Sequence, residues 1–93
     1  MSFLGMDPGE VTSLAHQFNS AASQINSIIQ TITSALSTTQ WVGPDQQQFS
    51  GEWNGTHVAS LRGVAQVLEQ EQQYLMQKVQ QQEQASSAGG SSV

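Results

Sequence analysis

The sequence predicts an all-α fold: an antiparallel helix-turn-helix hairpin that pairs with a second hairpin into a four-helix bundle. Three observations predict it. Two long stretches carry apolar residues at steps of three and four, the spacing of one helix face. One Gly-Pro pair, Gly43-Pro44, divides them, and that dipeptide marks a turn. The apolar arc on each stretch is wider than a two-stranded seam needs, which suits a bundle.

Composition narrows the function classes. The chain has 93 residues, so one domain is expected. It has no Cys, which excludes disulfides and thiolate metal sites. A core this small needs support, and oligomerisation is the remaining source. Two Lys and Arg face seven Asp and Glu, for a net charge of −5. Nucleic acid is therefore excluded as a partner, because phosphate binding depends on basic side chains. Anionic lipid is disfavoured on the same ground. Only 10% of residues are charged, and Gln and Ser supply solubility instead. No apolar run reaches the roughly 18 residues of a membrane span. Met1–Asp7 has no Lys or Arg and no apolar run of leader length. Export, if it occurs, is expected by a route that reads no cleaved leader.

Residues 1–6 form an apolar arm with Phe3, Leu4 and Met6. Asp7-Pro8-Gly9-Glu10 then reads as a capping box: Asp7 at the N-cap, Pro8 at the first helical position, Glu10 at the third. Met6 and Val11 would staple across it. The first helix is predicted over Pro8–Thr38. Its main apolar column is Val11, Leu14, Phe18, Ala21, Ile25, Ile28, Ile32 and Ala35. Ala15, Ala22, Ile29 and Leu36, each seven apart, form a second column beside it. Sustained heptad spacing favours left-handed packing on a neighbour.

Trp41-Val42-Gly43 forms the expected bend, with Trp41 plugging the end and Gly43 and Pro44 stopping one helix and starting the next. The second helix is predicted from Pro44 or Asp45, where Asp45 suits the positive helix end. Its column is Phe49, Trp53, Leu61, Val64, Leu68, Leu75 and Val79, with His57 filling the gap between Trp53 and Leu61. Val58, Ala65, Val67, Tyr74 and Met76 flank it. The helix is expected to fray near Gln84, so that residues 7–84 form the hairpin and 85–93 a flexible Ser/Gly-rich tail. Folding at the bend predicts that facing residues have numbers summing to about 85. Ile32 then meets Trp53, Ile25 meets Leu61, Phe18 meets Leu68 and Val11 meets Leu75. The predicted hairpin core is Val11, Leu14, Phe18, Ile25, Ile28, Ile32, Leu36, Val64, Leu68 and Leu75.

No nucleophile is set beside a base by any motif, so no enzyme and no cofactor is expected. His16 and His57 fall at different heights of the hairpin, short of the three or four ligands that zinc needs. The remaining candidates are for contact with a partner. Gly51, Gly55, Ala59 and Gly63 recur every four residues. Each Gly costs about 1 kcal/mol of helix stability against Ala, which close approach by another helix would explain. Neutral drift in a helix held by packing is the competing reading. Phe49, Trp53, His57 and Leu61 join them as interface candidates, with a core reading preferred for Phe49.

Together these residues resemble the WXG family of small type VII (ESX) secretion substrates, the early secreted antigenic target-like proteins. The resemblance covers Asp7 to Gln84. It rests on Trp41-Val42-Gly43 near mid-chain between two long helices, on Phe49 and Trp53 as the aromatics after the motif, and on Leu61 and Leu68 continuing in phase. It implies a homodimer or heterodimer of hairpins, exported from Gram-positive bacteria, including actinobacteria, by an ATPase-driven membrane complex. It implies a secreted protein, cytoplasmic before export, that acts as a substrate or as co-secreted partner or adaptor of a larger effector. One departure matters. Exported members or their partners often carry Tyr-x-x-x-Asp/Glu, whereas Tyr74 here is followed by Lys78. A partner chain supplying that signal is expected, which tilts the reading toward a heterodimer. A cytoplasmic helical scaffold and a membrane-active secreted effector are the alternatives.

Overall fold

The computed structural model describes the backbone of residues 5–91 and the side chains of residues 5–85. Three α-helices follow in order: α1 (Pro8–Thr38), α2 (Pro44–Glu52) and α3 (Val58–Ser91). A five-residue π-turn, Trp53–His57, joins α2 to α3 without a break in the helical run. No strand occurs among the described residues. The arm residues 1–4 lie outside them, as do Ser92 and Val93. The helix continues through Ser91, past the fraying point expected near Gln84. The run Gln80–Gln84 has no Gly or Pro to stop it.

The start of α1 follows from Asp7. Its carboxylate accepts from the N–H groups of Gly9 at 2.9 Å and Glu10 at 3.3 Å, satisfying two donors that lack intrahelical partners. Pro8 occupies the first turn. The return bond that would complete a capping box, from the Asp7 N–H to the Glu10 carboxylate, is not made.

The end of α1 differs from expectation. Gly43 and Pro44 do not stop it. The helix closes at Thr38, where the Thr39 N–H donates to the Ala35 carbonyl at 3.0 Å. Hydroxyls then cover the exposed carbonyls: Ser37 and Thr38 donate to Ser34, and Thr38 and Thr39 donate to Ala35. A run of hydroxyl side chains thus does what a C-terminal glycine commonly does.

α1 lies against α3. The molecule measures 74 × 17 × 16 Å, a rod only two helices thick. Its buried residues are Ala15, Ala22 and Ile29 of α1 with Val58, Ala65 and Val79 of α3. This is a correction to the predicted core. On α1 the heptad column Ala15, Ala22 and Ile29, not the longer column beside it, faces the neighbour. Val11, Phe18, Ile25, Leu36, Leu61, Leu68 and Leu75 are half-buried beside that seam. Leu14, Ile28, Ile32 and Val64 were predicted as core and are exposed. Two helices hide only a narrow strip, and alanine lets them approach most closely.

The seam assignment predicts unequal mutational costs. Ala22→Leu forces a large side chain into the contact and should cost about 1–3 kcal/mol. For a domain this size, that lowers the melting temperature by roughly 4–8 °C per kcal/mol. Ile28→Ser, at an exposed position, should stay within about 0.5 kcal/mol in dilute protein. Thermal unfolding followed by circular dichroism checks the pair.

Candidate functional site

The bend is built from backbone necessity. Gly43 has φ 124° and ψ −179°, a region open in practice only to glycine. It is the N-cap of α2, and its carbonyl accepts from the Gln47 N–H at 3.1 Å. Pro44 follows at the first helical position, where its missing N–H costs nothing. A Cβ added at Gly43 would meet nothing within 4 Å. The requirement for glycine is therefore dihedral and not steric.

Two aromatic groups sit on either side of this glycine. Trp41 packs on Phe49 with ring centroids 5.9 Å apart and planes tilted by 49°. Both rings stay exposed, so Phe49 is not the core residue that its spacing suggested. Val42, between Trp41 and Gly43, is 92% exposed. The motif tripeptide thus presents an aromatic and an aliphatic group to solvent at one end of the rod.

Trp53 behaves differently. It is half-buried, and its indole Nε1–H donates to the Thr33 hydroxyl of α1 at 3.0 Å. The predicted register put Ile32 opposite Trp53, one residue from the partner observed. His57 packs against the indole at a tilt of 52°, with 6.3 Å between ring centroids. It does not fill the inward gap before Leu61; Val58 does, and His57 is exposed.

The π-turn explains this exchange. Inward positions before it are Gln46, Ser50 and Trp53, and after it Val58, Leu61, Ala65 and Leu68. Each step within either set is three or four, but Trp53 to Val58 is five. The Val58 N–H donates to the Trp53 carbonyl, five residues back, and takes up the extra residue. Where the ladder changes pitch, Asn54 Nδ2 donates to the Ser50 carbonyl at 2.9 Å. The five-residue gap was the available signal in the sequence, and His57 masked it by offering a plausible side chain at the four-residue step.

The interface candidates divide into two groups. Leu61 and Trp53 are half-buried against the rod's own chain. Gly51, Gly55, Ala59 and Gly63 are exposed, and a Cβ at any of the three glycines would meet nothing within 4 Å. Among the described residues, no neighbour uses the small size of these glycines. Elsewhere, Ile28 on α1 and Val64, Val67 and Tyr74 on α3 keep 51–53% of their surface exposed. Lys78 Nζ stands 5.3 Å over the Tyr74 ring, a cation–π contact. His16 is exposed, and no group of three His, Cys, Asp or Glu comes together among the described residues. No helix there is long and apolar enough to cross a membrane. No family model, no curated protein and no solved structure matches the chain.

The Gly43 dihedral yields a direct test. Gly43→Ala should cost about 1–3 kcal/mol, although the added methyl has free space. Gly63→Ala, on an open helix surface, should instead stabilise by about 0.4–1 kcal/mol. Chemical denaturation of both variants checks the contrast.

Proposed function

We propose that this protein acts by docking and not by chemistry. In this reading the chain folds as an antiparallel hairpin and pairs with a second hairpin into a four-helix bundle. It is exported by a type VII (ESX) secretion system as a dimeric substrate or as co-secreted partner of another substrate. The observation that carries it is the apolar surface left uncovered: Leu14, Ile28 and Ile32 on α1, with Val64, Val67 and Tyr74 on α3. Leu14, Ala21 and Ile28 precede the seam residues Ala15, Ala22 and Ile29 by one position each, as Val64 precedes Ala65. With the helices running in opposite directions, these columns fall on the same flank. The other flank carries Thr12, Asn19, Asn26 and Thr33 facing Arg62, Glu69, Met76 and Glu83, while Glu71 and Lys78 share the Val64 column. A flank that is apolar along α1 and mixed along α3, opposite one that is mostly polar, suits a hairpin that is half of a larger core.

The Trp41-Val42-Gly43 bend supports the type VII reading, because its exposed Trp41 and Val42 and its dihedral-restricted Gly43 belong to the tripeptide that the family resemblance rests on. The mate would be a second copy or, preferably, another WXG-type chain. Lys78 in place of the family's acid favours a partner that carries the export signal. The secretion ATPase and a larger effector are the further partners in this reading.

Co-expression with the product of the adjacent reading frame, followed by native mass measurement, tests the pairing. The expected result is a one-to-one heterodimer. A persistent monomer of 10.0 kDa overturns the docking role. Trp41→Ala should retain helix content by circular dichroism yet disappear from culture supernatant. Its undiminished secretion would refute recognition through the bend.

A further inference from the structure

We propose that the π-turn Trp53–His57 is a two-position joint that sets which way Trp53 faces. The inference concerns the fold and is independent of the export reading. Between Trp53 and Val58 the chain holds one residue more than a regular helix can place on a single face. Two arrangements can absorb it. In the π arrangement the extra residue is looped into the turn, and both Trp53 and Val58 face α1. In a regular α arrangement the helix rotates by about 100° per residue, so Val58 stays inward and Asn54 replaces Trp53. The indole then swings to the outside, and α2 turns with it, moving Phe49 relative to Trp41.

Named contacts hold the π arrangement. The indole N–H donates to the Thr33 hydroxyl, His57 packs against the indole at a tilt, and the Asn54 side chain donates to the Ser50 carbonyl. None is a buried charge or a large packed surface, and no residue of Trp53–His57 is fully buried. Gly55 at the centre of the turn has no neighbour within 4 Å of a Cβ position, so no side chain packs on the turn at that point. The contacts favouring the inward indole are few, modest and removable singly, as a two-position element requires. The aromatic end of the rod would be re-aimed without unfolding either long helix.

The full chain with Trp41→Phe leaves Trp53 as its sole indole. Labelled with 5-fluorotryptophan, it should give two fluorine resonances, or one broadened by exchange, for the inward and outward positions. Thr33→Val removes the indole's acceptor and should raise the outward population roughly 2- to 10-fold. Deleting Thr56 shortens Trp53-to-Val58 to four residues, so a regular α-helix then places both inward. That variant should keep its helix content and show only the solvent-shielded resonance. One sharp resonance in the parent that Thr33→Val leaves unchanged would overturn the joint. So would a solvent-exposed fluorine in the Thr56 deletion, or unfolding of that variant while Thr33→Val leaves the parent spectrum unmoved.

Discussion

The narrow seam between α1 and α3 is the constraint on which the rest depends. Ala15 and Ala22 on one side and Ala65 on the other let two long helices run close together. Close approach maximises van der Waals contact along the line where they touch. It also leaves little width for anything else. Leucine and phenylalanine side chains beside the line are half-buried, and large apolar residues one column further round keep 38–53% of their surface exposed. The rod's thinness and its surplus of exposed apolar groups are therefore two views of one choice of residue size.

The bend obeys a different logic, in which each device is local. Hydroxyls finish α1, a glycine dihedral and a proline begin α2, and a π-turn corrects the phase of α3. None of these depends on charge, in keeping with a chain that has few charges to spend. Trp53 links the bend to the long helices through one hydrogen bond. Trp41 and Phe49 remain outside that link and lean on each other.

Much of the fold was legible in the sequence because helix signals act over a few residues. Asp7 and Pro8 set the start of α1, and Pro44 that of α2, and both starts stand where those residues predict. What was not legible required knowing how many helices share the apolar surface. The large column of α1 scores as core only if another chain is present; within one chain the smaller column wins, because alanine permits the shorter distance. The π-turn was missed because His57, four residues after Trp53, satisfies a regular pattern on paper. The actual inward residue is Val58, whose aliphatic side chain is easier to desolvate than an imidazole. At the candidate site, the dihedral demand on Gly43 was readable from the turn chemistry, whereas the outward pose of Phe49 depended on Trp41 folding back over it.

The elongated shape carries a practical consequence of its own. The radius of gyration is 20.9 Å, against about 12 Å for a compact domain of this length. On that scaling a sphere-like protein with the same radius would hold several times as many residues. Filtration through a porous matrix sorts by dimension and not by weight. A solitary rod would elute early and pass for an assembly, so scattering, sedimentation or mass must judge its stoichiometry.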